Sequence, residues 1–267
     1  MKLSVGSYDN STTVDNEAEI LADFQQRSQQ AYQSGENIMT FCYGESPRER
    51  IDWFISAASK MGTIIFIHGG YWQSCNKEDF AFITAGPLAR GFDVMLVEYT
   101  LAPQTTLTEI HRQIGAALDA IGRQPGLCSP VYLSGHSAGG HLAACWQAHP
   151  VADAVLAISG IYELEPLLST AVNRLLQLTP AEVNDLSPLR HLAEKISPLT
   201  LFYGTAERTE LIAQSENYAQ RLRQRGRPVD VIALPGANHY TILDALFATD
   251  GALFSQLYHD ENPLCET

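Results

Sequence analysis

Ser137 stands in the run Gly135-His136-Ser137-Ala138-Gly139, between the apolar stretch VYLS and an alanine-rich stretch. In that setting the G-x-S-x-G spacing predicts a nucleophile elbow, where a strand turns sharply into a helix and only residues without bulk fit around the serine. An alcohol is a poor nucleophile until a base takes its proton. The chain order serine, acid, histidine selects His239 as that base, after Pro235-Gly236-Ala237-Asn238 near the C-terminus. The other histidines fit less well. His68 and His136 are local to the loops at their own strand ends, and His141 lies on the nucleophile helix. His111, His149, His191 and His259 fall in helical or polar stretches.

A carboxylate must orient the imidazole and stabilise its protonated form. Glu207, three residues past Gly204, is the first candidate, and Glu210, about one helical turn on, is its rival. Asp185 is more remote, and Asp244 follows His239 in the chain. Attack on a carbonyl also needs donors for the oxygen that becomes negative. The N–H of Ala138, next after the serine, is one expected donor. The loop His68-Gly69-Gly70-Tyr71 would supply others through Gly69 and Gly70, because glycine lets backbone approach a substrate closely. There is no H-E-x-x-H run and no Cys/His cluster with ligand spacing, so neither metal nor cofactor is expected.

Residues this far apart meet only if a fold gathers them. The runs TIIFIHGG, DVMLVEYT, PVYLSGHSAGG, ADAVLAISG, LTLFYGTAE and VDVIALPGANHY are short apolar cores with β-branched residues. Helical stretches separate most of them: 107–123, 141–149, 210–225 and, after the last run, 241–258. Apolar strands alternating with helices indicate an α/β architecture, a mostly parallel central sheet covered by helices on both faces. Ligands of such sheets bind beyond the carboxyl ends of the strands, where Ser137, Glu207, His239 and the glycine loops all fall. The whole chain, 1–267, is read as one domain. Residues 1–16 are polar and aperiodic and predict a loosely packed arm, which with a helix from Glu17 to about Gln33 makes up an N-terminal region 1–35. RERIDWFI predicts an antiparallel edge strand. Residues 161–198, with many leucines and Pro166, Pro180, Pro188 and Pro198, interrupt the rhythm and predict a cap-like helical insert.

Composition narrows the function classes. The formal net charge is −13 and no Lys/Arg-rich run occurs, which excludes a nucleic-acid partner or an anionic membrane surface. No apolar run approaches the roughly 18 residues that span a bilayer, and the N-terminus lacks the apolar core of a secretory signal. Five scattered cysteines with no C-x-x-C pair suit reduced thiols in a cytoplasmic protein. Cys145 is expected in a helix face and Cys75 near the glycine loop. A small molecule is the expected partner, and a homodimer is left open.

FIHGGYW, GHSAGGHLAA, SGIYELEPL and NHYTIL resemble the α/β-hydrolase fold, hormone-sensitive-lipase-like branch, and within it are most similar to the arylformamidases, or kynurenine formamidases. The resemblance runs from about Tyr43 to Phe254 and is most specific in His68, Gly69, Gly70 and Trp72. It implies Ser137 as nucleophile, His239 as base, Glu207 as acid, and Gly69, Gly70 and Ala138 as oxyanion donors. Two positions depart from the pattern: many lipase-like relatives carry a third glycine where Tyr71 stands, and the acid is often Asp. The implied reaction is hydrolysis of N-formyl-L-kynurenine to L-kynurenine and formate. Tyr71, Trp72 and Tyr162 are expected to wall an aryl pocket, with His136 also among the substrate-binding residues, and the insert to roof it. Because a fold does not fix a substrate, a carboxylesterase or amidase acting on another small acyl group is the alternative. A non-catalytic binding protein on a hydrolase fold is a distant one, and an acyltransferase has no carrier-binding signature in its favour.

Overall fold

The computed structural model describes residues 8–35, 37–192 and 197–257. Strands β1 (Ile38–Cys42), β2 (Arg50–Phe54), β3 (Gly62–Ile67), β4 (Phe92–Val97), β5 (Val131–His136), β6 (Ala154–Ile158), β7 (Leu199–Gly204) and β8 (Asp230–Leu234) form one sheet. Their order is β1-β2-β4-β3-β5-β6-β7-β8. The β1–β2 and β2–β4 pairs are antiparallel, and every other pair is parallel. The helices are α1 (Glu17–Ser34), α2 (Ala85–Ala89), α3 (Leu107–Gly122), α4 (Ala138–Cys145), α5 (Asn173–Leu176), α6 (Pro180–Asp185), α7 (Thr209–Gln224), α8 (Ile242–Phe247) and α9 (Phe254–Leu257).

The unbroken apolar runs are needed because the central strands are covered on both faces. In β3, Ile65 and Ile67 enter one core with Ile114 of α3, Leu142 of α4 and Leu222 of α7. Ile64 and Phe66 enter the other, with Phe24 of α1, Leu246 of α8 and Phe254 of α9. β3 lies between β4 and β5, so successive connections leave it in opposite directions. Such a reversal opens a crevice beyond the strand ends.

The structure departs from the sequence-based expectations in three places. The RERIDWFI strand is antiparallel, as β2, but it is not the edge: β1 pairs outside it, with Ile38 opposite Phe54. The helix expected over 241–258 is broken into α8 and α9, with an extended Ala248 (ψ 156°) ending the first piece. The N-terminal arm is not loose where described, since Tyr8 and Asn10 are buried. The insert is a short 3-10 turn (Glu165–Ser169) followed by α5 and α6, held by buried Leu164, Leu167, Leu176 and Leu178. Cys42, Cys75 and Cys145 are free thiols. Residues 1–7 of the arm, 193–196 of the insert, Tyr258, His259 and Cys265 lie outside the described residues. Among the described residues no helix is long and apolar enough to cross a membrane, and no group of three or more His, Cys, Asp or Glu could hold a metal ion.

Candidate active site

Ser137 caps the N-terminus of α4 with φ 57° and ψ −115°, a backbone conformation that costs a non-glycine residue about 1–3 kcal/mol. The surroundings compel it. The Ser137 N–H donates to the Ile158 carbonyl at 2.8 Å, and its carbonyl accepts the His141 N–H at 3.0 Å. A Cβ on Gly139 would overlap the Ile67 carbonyl oxygen, and one on Gly135 would overlap the Gly139 carbonyl. Only glycine lets the strand end, the turn and the helix start approach so closely.

β7 and β8 bring the partners. The Nδ1 of His239 lies 2.9 Å from Oε2 of Glu207. The other carboxylate oxygen, Oε1, accepts from the Ser159 hydroxyl at 2.6 Å and from the Gly204 N–H at 2.6 Å. Burial alone would raise the Glu207 carboxyl, but the hydrogen bond and charge of His239, with Ser159 and Gly204, hold it below the usual carboxylate range. Because an ionised Oε2 can only accept, Nδ1 is the donor in this hydrogen bond, which turns Nε2 away from Glu207. Glu210 does not share this position: it opens α7 and bonds to the Thr209 hydroxyl at 3.2 Å. Asp244 is paired with Arg27 at 2.7 Å, and Asp185 with Asn184.

The loop after β3 closes on the elbow. A Cβ on Gly69 would sit 3.2 Å from the Ser137 Cβ, and Gly70 takes φ 101°. The N–H groups of Gly69, Gly70 and Ala138 have no hydrogen-bond partner among the described residues. His136 is buried, with Nε2 2.9 Å from the His239 carbonyl and its ring 4.5 Å from the His239 ring. Burial, then the neighbouring His239, keep it neutral, well below the usual histidine range.

Ser137, His136 and His239 line a cavity of about 980 Å³ that also takes in Gly70 and Tyr71. The structure does not place the other two expected aromatics there. Trp72 is fully buried and packs edge-on against His141, with centroids 5.0 Å apart. Tyr71 and Trp72 take φ 51° and 60° in succession, so the chain turns after Tyr71 and Trp72 wedges between the loop and α4. Tyr162 is fully buried and stacked on Tyr218 at 4.6 Å, under α7. Their replacement as walls comes from residues the sequence reading did not single out. Tyr8 and Asn10 of the arm, Glu17 and Leu21 of α1, and Tyr240 face the cavity. The insert contributes only Thr170, Ala171 and Val172. The roof is tied to the site by its hydroxyls: Tyr71 donates to the Tyr8 carbonyl at 2.6 Å, and Tyr240 donates to Glu17. Gln214 donates to the Tyr8 hydroxyl at 2.9 Å, and Arg208 to the Asp9 carbonyl at 2.6 Å.

Comparison with known proteins follows this geometry. A family described as alpha/beta hydrolase fold matches residues 64–184. A kynurenine formamidase of Danio rerio is 30% identical over 226 residues, covering 79% of this chain and 77% of its own. One of Drosophila melanogaster is 28% identical, covering 76% and 74%. Among solved structures, a putative thioesterase from Silicibacter superposes with a TM-score of 0.85 at 25% identity, covering 93% of this chain and 96% of its own.

Proposed function

The chain belongs to the α/β-hydrolase family and is similar to its kynurenine formamidases, and from that premise we propose that it is a serine hydrolase cleaving a small acyl group from an aryl amide. N-formyl-L-kynurenine, giving L-kynurenine and formate, is the substrate that this reading favours. The observation that carries the proposal is the Glu207–His239 hydrogen bond of 2.9 Å beside a serine held in a strained turn on one cavity.

In this reading Ser137 attacks the formyl carbonyl while Nε2 of His239 takes its proton. Glu207 holds the imidazole in the tautomer that leaves Nε2 able to accept, and stabilises the imidazolium that forms. The N–H groups of Gly69, Gly70 and Ala138 receive the oxyanion. Collapse of the tetrahedral intermediate breaks the C–N bond, and the His239 imidazolium gives its proton to the aniline nitrogen. Water, deprotonated by His239, then releases formate and restores Ser137.

A second reading, an esterase or amidase acting on another small acyl substrate, is favoured by the cavity's volume of about 980 Å³, at the upper end for small-molecule sites. Steady-state hydrolysis of N-formyl-L-kynurenine beside a short-chain aryl ester separates the two, with Ser137→Ala as blank. A kcat/KM of about 10⁴ M⁻¹s⁻¹ or more for the formamide supports the first reading. Turnover of the ester alone supports the second.

A further inference from the structure

The cavity has a one-sided chemistry. Among the described residues its charged lining residues are Asp9, Glu17 and Asp79, and no Lys or Arg is in the lining, although Arg48 lies behind it, donating to the Asn76 side chain and the Cys75 carbonyl. Arg208, which donates to the Asp9 carbonyl, is not in its wall. Two lining residues, each more than nine-tenths buried, carry a polar atom without a partner: Asn10 Oδ1 and His136 Nδ1. Both are acceptors. The Asn10 amide nitrogen already faces the Tyr71 hydroxyl at 3.5 Å, and the neutral His136 donates through Nε2 to the His239 carbonyl. A buried acceptor left unpaired is costly, so a donor that reached either atom would be stabilised there. Tyr71 and Tyr240 are also in the lining, and the face of an aromatic ring attracts a cation.

We propose that the leaving-group side of this cavity is built for an ammonium and disfavours a leaving group that carries only a carboxylate. The proposal rests on the hydrolase reading above and narrows it: a zwitterionic aryl formamide is accepted through its ammonium, and its carboxylate finds no basic side chain among the described lining residues. Field lines from several carboxylates are focused in a partly enclosed cleft, so the preference falls with ionic strength.

The test is a charge series on one aryl ketone scaffold, with a side chain ending in an ammonium, a carboxylate or both. Each is made once as the formamide and once as the matching aryl ester. The expected result is kcat/KM in the order ammonium, zwitterion, carboxylate, with about tenfold or more between the ends at low salt. The difference should reside mainly in KM and shrink as salt is added. Glu17→Gln, which keeps an acceptor for the Tyr240 hydroxyl, should lower the ammonium-to-carboxylate ratio several-fold. Equal or better turnover of the carboxylate compound overturns the proposal, as does a ratio that neither salt nor Glu17→Gln moves. If the formamides are inert while the esters keep the charge order, the formamidase reading falls and the charge proposal stands. If the formamides turn over without a charge order, the reverse holds.

Discussion

Glu207→Gln probes the site at its most determined point. The carboxylate accepts three hydrogen bonds: Oε2 from His239 Nδ1 at 2.9 Å, and Oε1 from Ser159 and Gly204 at 2.6 Å each. An amide offers one oxygen and one NH₂ group. If the oxygen kept His239, the NH₂ would face the Gly204 N–H, a donor that cannot turn away. The amide therefore places its oxygen on Gly204 and Ser159 and its NH₂ against Nδ1. His239 must then accept at Nδ1 and carry its proton on Nε2, the tautomer that cannot take a proton from Ser137. The fold is retained, since the substitution is isosteric and two of the three bonds survive. The analogous change in a serine protease triad lowers kcat about 10⁴-fold, and the same loss, about 5 kcal/mol of barrier, is expected here. The assay is steady-state hydrolysis of the formamide or the aryl ester, with thermal unfolding as a check on integrity. Glu210→Gln, on a carboxylate bound to Thr209, should leave the rate within about twofold of the parent. A Glu207→Gln enzyme within tenfold of the parent would refute the tautomer argument, and a greater loss in Glu210→Gln would move the acid to that residue.

Gly139→Ala should destabilise strongly or prevent folding, because its Cβ would collide with the Ile67 carbonyl at the elbow. Gly122→Ala, at a helical site whose nearest neighbour would be 3.6 Å away, should instead raise stability by about 1 kcal/mol, read from urea midpoints. Tyr71→Phe removes the hydroxyl that donates to Tyr8 and should raise KM more than it lowers kcat, with about 1 kcal/mol lost in stability. Stability should fall as pH drops below about 6.5, before the carboxylates titrate, because His141 (pushed down to about 4 by burial) and His136 stay neutral in the fold. The unfolded chain binds protons there that the folded one does not, so the free energy of unfolding rises with pH across that window. At pH 5 the His141 contribution alone is about 2 kcal/mol, and His141→Gln should flatten the slope of urea midpoint against pH.

Periodicity made the sheet readable wherever burial on both faces forced a continuous apolar run, as in TIIFI and VYLS. β1 escaped because IMTFC is half exposed along its length and lacks a buried face to impose alternation. The G-x-S-x-G spacing located the elbow because steric overlap at Gly135 and Gly139 leaves no other residue possible. Glu207 and Glu210 were not separable by sequence, since one turn of chain at a strand end does not tell which carboxylate meets His239. The mistaken wall residues, Trp72 and Tyr162, are aromatic neighbours of loop residues, and proximity in sequence says nothing of direction after a left-handed turn. Ser159, which holds Glu207, was signalled only by the small pair Ser159-Gly160 after an apolar strand. The arm carried no periodic pattern at all, because single hydroxyls and backbone carbonyls, not a stripe of apolar residues, fasten it.

That fastening has a consequence for the order in which the chain assembles. The roof precedes its anchors in the chain by long separations: Tyr71 is 63 residues beyond Tyr8, Arg208 is 199 beyond Asp9, and Tyr240 is 223 beyond Glu17. Contacts of such separation form after the sheet that brings their ends together. The arm must therefore wait, unfastened, until β8 and the His239 loop have emerged, and the cavity stands open to solvent until then. Held by a few single hydrogen bonds, the arm is expected to be released at lower free-energy cost than the central strands. Hydrogen exchange at residues 8–10 should outpace that of β3 and β5.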